Sequence, residues 1–198
     1  MTSLQRRSLL ALGALAGTGI ALSTPKAQTL TNIADTLAGD ARFSRFLNLI
    51  VRASSTQDFR EVGPLTVFAP VDQAFAGAPA GVMQDLLTAG SQRDSSSSGD
   101  ASDRDRWLAL INYHVVPGAI GPMDLKGADR RLRTRNGRDL QVSTAGDVMS
   151  LRNPAPLQQI AGQSAFGANF NPVPARQAGP EIIASNGVIY PIDQILWP

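Results

Sequence analysis

The chain has 198 residues, of which 43% are hydrophobic, so it is long enough for one domain with a core of its own. It contains no cysteine, which excludes disulfides and thiolate metal sites, and it contains one histidine. The formal net charge is +2, but residues 1–27 hold three basic residues and no acid. The remaining chain therefore has 15 basic and 16 acidic residues, a balance that gives no support to nucleic-acid binding.

The first 27 residues have the pattern of an export signal. Arg6 and Arg7 directly precede a weakly apolar run over residues 8–22, which is shorter than the roughly 20 residues needed to cross a bilayer. A short membrane anchor or a buried helix is the alternative. The arginine pair resembles a twin-arginine signal, whose cargo crosses the membrane already folded. Cleavage is expected after Ala27 or after Ser23, and either would leave a periplasmic or secreted chain whose domain spans 28–198 and which has no transmembrane span.

Helical patterns dominate the next part of the chain. The predicted elements are a short helix carrying Ile33 and Leu37 and ending at Gly39, a helix over 40–53 capped by Asp40, a strand over 65–70, a short helical turn capped by Asp72, and a helix over 81–90 closed by Gly90.

Residues 91–105, "SQRDSSSSGDASDRD", contain no apolar residue except Ala101. Such a segment cannot contribute to a core, so we predict a mobile loop, with a linker between domains as the alternative. Helical character resumes at "RWLALIN" and leads into a strand predicted from Tyr113 to Val116.

The second half of the chain is typical of short strands separated by turns. "RLRTRNGRDLQVS" has the hairpin signal Asn136-Gly137, "DVMSLR" is a further strand, and the last residues form two strands around Asn186-Gly187. A Gln-, Gly- and Pro-rich stretch over about 153–180 separates them. Helices followed by antiparallel strands predict an α+β fold.

His114 is the one residue on which acid–base chemistry would depend. It lies in the apolar segment "INYHVVPG", which favours a neutral, hydrogen-bonded imidazole inside the core over an exposed general base. On a strand, the side chains of Tyr113 and His114 would leave on opposite faces, with one buried and the other at an edge or against a helix. The nearest approach to a hydrolase motif, "GQSAFG", lacks the required spacing. We therefore predict no catalytic residue, no metal and no cofactor, with a hydrolase as a remote alternative.

Two groups of residues are candidates for binding. On a strand, Arg131, Arg133 and Arg135 would share one face, either as the solvated side of a hairpin or as a patch for anionic glycan, lipid headgroup or membrane. Phe166 and Phe170 either hold their polar segment against the core or line an apolar ligand groove.

Three stretches together resemble a fasciclin domain, in the order that the family has them. They are "GPLTVFAPVDQAF" (63–75), "INYHVVPG" (111–118) and "ASNGVIYPIDQILWP" (184–198), and the resemblance runs from about Thr29 to Pro198. The residues that it marks as structural are Asp72, Tyr113, His114, Asn186, Gly187 and Asp193. Because the motifs of Asp72 and His114 occur together in the family, these two side chains are expected to be partners.

The resemblance implies a twisted β-sandwich or wedge with helices packed alongside. It also implies an exported, non-enzymatic binding or adhesion module that engages a surface protein, glycan or lipid. Some family members bind apolar pigments, so a carrier of a carotenoid-like or lipid-like ligand is the alternative. The sequence departs from the usual motifs at Val71, at Tyr190 and near Asn153-Pro154, and the segments 91–105 and 153–180 resemble insertions.

Overall fold

A computed structural model describes residues 30–78, 99–127, 129–146, 148–154 and 173–198, with the side chains of 99–103 left out. The predicted export signal, the predicted helix over 81–90, and both Phe166 and Phe170 lie outside these ranges. Among the described helices, none has the length and apolar character that crossing a bilayer requires.

The described elements alternate between helices and strands before the chain becomes all-strand. In chain order they are α1 (Ile33–Ala38), a 3-10 turn (Ala41–Phe43), α2 (Ser44–Arg52), α3 (Thr56–Glu61), β1 (Leu65–Pro70), a second 3-10 turn (Asp72–Gly77), α4 (Gly99–Tyr113), β2 (Val115–Pro117), α5 (Pro122–Leu125), β3 (Asp129–Arg133), β4 (Asp139–Ala145), β5 (Val148–Arg152), β6 (Ala175–Arg176), β7 (Ile182–Ala184) and β8 (Gly187–Ile192).

The first sheet has the strand order β2-β1-β8-β7. Its two central strands, β1 and β8, run parallel, in register from Leu65 opposite Gly187 to Pro70 opposite Ile192. Every residue of both strands is buried, because one face of this sheet packs against helices and the other against the second sheet. The α+β class is confirmed, but the expectation of antiparallel strands alone is wrong for this central pair.

The second sheet is an antiparallel meander with the order β3-β4-β5-β6. Its inner face contributes Leu140, Val142, Met149 and Leu151 to the core, and these residues alternate with polar ones along β4 and β5. The hairpin predicted at Asn136-Gly137 joins β3 to β4, with Gly137 at a φ of 84°, where an L-residue would be strained.

The core has two parts, one on each side of the first sheet. The helix side includes Phe43, Phe46, Ile50, Trp107 and Leu110. The space between the sheets is filled by residues of both sheets and of α4, among them Phe68, Tyr113, Val116, Leu140, Tyr190 and Leu196.

The two ends of helix α4 both differ from those predicted from the sequence. It begins at Gly99, so the part of the predicted loop over 99–105 is helical, and it continues through Tyr113, so the following strand begins only at Val115. Buried Trp107, Leu110 and Ile111 hold this helix against the core. Extending a helix that is already anchored needs no apolar residues, because each further residue adds a backbone hydrogen bond without a new nucleation cost.

Candidate functional site

His114 is completely buried in the turn between α4 and β2, and both of its ring nitrogens are hydrogen-bonded to backbone. Nδ1 lies 2.8 Å from the carbonyl oxygen of Leu110, and Nε2 lies 3.0 Å from the backbone nitrogen of Leu196. Because a carbonyl can only accept and an amide can only donate, Nδ1 carries the proton and the ring is neutral. The ring also packs 5.6 Å from that of Phe46, centroid to centroid.

The environment of His114 disfavours its charged form. Burial lowers the pKa of His114 to about 4, and the hydrogen bond to the Leu110 carbonyl offsets only part of that effect. The imidazole is therefore neutral at neutral pH, and its nitrogens are occupied. It has no free position from which to take a proton from a substrate.

Tyr113 points to the other side of the first sheet. Its side chain is completely buried between the sheets, and its hydroxyl donates to the carbonyl oxygen of Asp139 at 3.0 Å. Burial raises the pKa of this phenol above its usual value. Tyr113 and His114 do separate, and both are fully buried, so neither lies at an edge; the ring of His114 packs against Phe46 of α2, which agrees with the other alternative, a position against a helix. Tyr113 ends a helix and His114 follows it, so strand alternation is not the cause.

Asp72 does not contact His114. Its carboxylate instead accepts hydrogen bonds at the start of α2, from the hydroxyl of Ser44 and from the backbone nitrogen of Arg45, the latter at 2.8 Å. The predicted Asp72–His114 pair is thus replaced by a cap that joins the 3-10 turn after β1 to helix α2. Asp72 makes no side-chain cap for its own turn.

Asn186 and Gly187 connect the β7–β8 turn to the helices. The side-chain oxygen of Asn186 accepts from the backbone nitrogen of Ile33 at 2.9 Å, and its amide donates to the carbonyls of Phe59 and Val62 at 3.0 and 3.1 Å. A Cβ on Gly187 would lie 1.9 Å from the carbonyl oxygen of Leu65, so only glycine fits there.

Asp193 ties the two sheets together. Its side chain accepts from the backbone nitrogen of Arg176 at 2.6 Å, and its own backbone nitrogen donates to the carbonyl of Arg176 at 3.0 Å. Since Asp193 follows β8 and Arg176 ends β6, these bonds fix the edge of the second sheet against the first.

The predicted arginine group is only partly brought together. Arg131 and Arg133 both lie on the solvent side of β3, where Arg133 pairs with Asp139 at 3.1 Å. Arg135 has left the strand: its backbone nitrogen donates to the carbonyl of Val115, and its side chain lies 3.6 Å from the carboxylate of Asp58 on α3. The prediction of one shared face therefore fails for Arg135, because the hairpin turn begins after Thr134.

The solvent side of the second sheet is a continuous polar surface, which we call the outer face. Strand register places on it Asp129, Arg131, Arg133, Asp139, Gln141, Ser143, Ser150, Arg152 and Arg176, with Ala145 and Val148 at one end. The sequence signal that could have revealed Arg152 is its alternation with buried Met149 and Leu151. Nothing in the sequence alone places Arg176 beside it.

The charges on the outer face are incompletely balanced. Asp129 accepts hydrogen bonds from Gln141 at 2.7 Å and from Ser143 at 2.8 Å. These bonds, with smaller contributions from Arg152 and Arg131, hold the pKa of the Asp129 carboxyl below its usual value. Among the residues that the structure describes, no carboxylate lies within 4.0 Å of the guanidinium of Arg131, Arg152 or Arg176.

Metal-ligating side chains do not converge in this part of the chain. Over the described ranges, no three residues among His, Cys, Asp and Glu form a group that could hold a metal ion. Within the described ranges, the protein is an α+β domain whose histidine is a core residue and whose outer face presents Arg131, Arg133, Arg152 and Arg176 to solvent.

Comparison with known proteins identifies the family. A family model described as the fasciclin domain matches residues 41–198. The chain belongs to the fasciclin family.

Its relatives include bacterial and animal proteins. It is 26% identical over 176 residues to the protein sll1483 of Synechocystis sp., a match that covers 89% of this chain and 77% of that protein. It is 30% identical over 172 residues to the transforming growth factor-beta-induced protein ig-h3 of Oryctolagus cuniculus, covering 84% of this chain and 19% of the relative. The match to human periostin is 24% identical over 163 residues and covers 82% of this chain and 15% of periostin.

A solved structure shows the same fold. It is a pair of FAS1 domains from the insect cell adhesion molecule fasciclin I, with a TM-score of 0.55 and 14% sequence identity. The match covers 85% of this chain and 51% of the insect chain. The chain therefore corresponds to about half of that domain pair and to less than a fifth of the animal proteins named above.

Proposed function

We propose that this protein is an exported, non-enzymatic binding module that attaches to a component of the cell surface through the outer face of its second sheet. The observation that carries the proposal is the outer face itself, where three arginines lack a carboxylate partner among the described residues. Incompletely balanced arginines on a solvent-facing surface attract an anionic partner and need no pocket to do so.

The position of His114 supports a binding role. The only histidine of the chain is enclosed in the core with both nitrogens occupied, so it serves the fold and not a reaction. Membership in the fasciclin family, whose name is shared by an insect cell adhesion molecule, agrees with a surface role.

Binding to the cell surface is tested with the exported protein purified from the cells that produce it. Added back to washed envelopes of the same cells, it should sediment with them in a saturable manner and be released by salt, because charge drives the attachment. Heat-unfolded protein is the control for nonspecific adherence. If the folded protein binds no better than the unfolded one, the proposed function is wrong.

Export has a separate test in the arginine pair of the leader. Replacing Arg6 and Arg7 together with Lys should leave uncleaved precursor in the cytoplasm if the twin-arginine route is used. Normal export of that variant would indicate the general secretory route. Cytoplasmic accumulation of the unaltered protein would contradict export by either route.

A further inference from the structure

We infer that the outer face binds an acidic polysaccharide, whose carboxylates are held by Arg131, Arg152 and Arg176. The inference rests on the proposed function, since it names the chemistry of the surface component that the module engages.

Positive charge is concentrated in the second sheet of this protein. Residues 129–154 and 173–177, which form the second sheet and its turns, hold seven arginines and three aspartates. The rest of the chain after residue 27 holds eight basic and thirteen acidic residues. The charge of a nearly neutral protein is thus unevenly distributed along the chain, and an anionic partner is steered towards the arginine-rich second sheet.

The three arginines lie on three strands of the second sheet and on the same face of it. Arg131 on β3 and Arg152 on β5 lie in register with Gln141 of β4 between them, which puts their backbones about 10 Å apart. Arg176 on β6 is opposite Ser150, so it lies diagonally from Arg152 at about 7–8 Å. The Cα atoms of the three arginines therefore follow a line across the strands, which suits an extended polymer with repeated anionic groups.

The side chains that lie between the three arginines are polar and uncharged. The side-chain oxygens of Gln141 and Ser143 can accept from sugar hydroxyls even while these residues donate to Asp129, and Ser150 adds a further hydroxyl. The apolar Ala145 and Val148 lie only at one end. A membrane-binding surface would have apolar or aromatic side chains to insert among the lipids, and a protein interface would have an apolar centre. A hydrated glycan fits this surface better than either.

Arginine also suits carboxylates better than lysine does. Its planar guanidinium matches a carboxylate with two parallel hydrogen bonds, and it is more weakly hydrated than an ammonium group. Asp129 opposes binding, because the charge on its carboxylate interacts with both Arg131 and Arg152. Removing that charge should therefore strengthen binding to a polyanion.

Alginate, a chain of uronic acids, is the probe, and neutral dextran is the control polymer. The full exported protein should bind immobilised alginate and not dextran, with an affinity that falls as salt rises. Arg152→Gln should weaken binding severalfold, and the triple variant Arg131→Gln, Arg152→Gln, Arg176→Gln about tenfold or more, since exposed charge contacts are individually modest. Asp129→Asn should bind more tightly.

Arg45→Gln is the matched control, because Arg45 is exposed on α2 and its loss changes the net charge by the same amount as Arg152→Gln. Its affinity for alginate should equal that of the unaltered protein. Equal weakening by Arg45→Gln and Arg152→Gln would mean that only net charge matters, and the site would be refuted. Thermal melts of all variants exclude loss of folding as the cause.

Two further outcomes separate this inference from the proposed function. Binding to vesicles containing phosphatidylglycerol, with none to alginate, would overturn the glycan in favour of a lipid surface. If the triple variant sediments with envelopes as well as the unaltered protein does, both the arginine site and the outer face as the contact surface are wrong, while binding of the protein to the cell surface stands. If the unaltered protein fails to bind envelopes, the proposed function fails, whatever the result with alginate.

Discussion

The Nε2 atom of His114 accepts a hydrogen bond from the backbone amide of Leu196 at 3.0 Å, across 82 residues of sequence. His114 follows α4, and Leu196 lies beyond the last strand of the first sheet, so the bond fastens the C-terminal segment to the end of that helix. The other ring nitrogen is bonded to the Leu110 carbonyl within α4. The imidazole is therefore a crosslink inside the fold.

Removing the imidazole should destabilise the protein. His114→Ala leaves the amide of Leu196 without its partner and opens a cavity, so we expect a loss of about 2–4 kcal/mol in the free energy of unfolding. His114→Gln, which keeps one donor and one acceptor, should lose less. Urea denaturation of both variants measures the difference. Unaltered stability in both would rule out the crosslink.

Stability should also depend on pH through His114. The pKa of its imidazole is about 4 in the folded protein against 6.5 as its ordinary value, so between these values the unfolded chain binds a proton that the folded one does not. Stability should be fully present above pH 6.5 and fall as pH decreases towards 4, by up to about 3 kcal/mol.

The His114→Gln variant isolates this contribution, because His114 is the only histidine in the chain. The aspartates with lowered pKa, Asp40 and Asp129, lose their contribution below the ordinary value of 3.8 and so act at lower pH. Unfolding free energies of the variant should be nearly level between pH 6.5 and 5. An equal slope in both proteins would contradict a neutral, buried imidazole.

The stability of the protein should depend on the hydrogen-bond donor of the Asn186 side chain. Asn186→Asp keeps the oxygen that accepts from Ile33 but turns a second oxygen towards the carbonyls of Phe59 and Val62. We expect a loss of about 2–3 kcal/mol, since carbonyl groups lose a donor and face a negative charge. Asn186→Ala, which leaves the groups unpaired but adds no charge, is the comparison. If Asp is tolerated better than Ala, the donor assignment is wrong.

Ser54 offers a stabilising substitution. It ends helix α2 with a φ of 56°, a left-handed conformation that costs a non-glycine residue about 1–2 kcal/mol. Ser54→Gly should raise the free energy of unfolding by about 0.5–1 kcal/mol, since glycine's greater freedom in the unfolded chain offsets part of the gain. Gly137→Ala, at a φ of 84° with open space around it, is the reciprocal control and should destabilise. A loss of stability in Ser54→Gly would contradict this backbone geometry.

Local patterns predicted those elements whose ends are marked by the sequence. Strand β1 over 65–70 ends at proline as predicted, and the β3–β4 and β7–β8 turns fall at Asn136-Gly137 and Asn186-Gly187. Helix α3 was not predicted, because only Phe59 among its residues is buried and one apolar residue gives no periodicity.

The contacts between distant segments could not be predicted from local sequence patterns. The expectation that Asp72 is the partner of His114 followed from the co-occurrence of their motifs in the family. The actual partner is the backbone amide of Leu196, and a backbone group leaves no mark in the sequence. The outer face depends on register: Arg131, Arg152 and Arg176 lie on three different strands, and only the pairing of those strands brings them into one line.

The central claim, that the outer face is the binding surface, is tested most directly by locating the contact with NMR. Backbone amide and arginine Nε–Hε signals of the labelled protein are followed while alginate is added. If the outer face binds alginate, the shifts should be confined to β3–β6, with the Nε–Hε signals of Arg131, Arg152 and Arg176 moving together and that of Arg45 unchanged. Shifts centred instead on α1–α3, with the outer face unaffected, would contradict it.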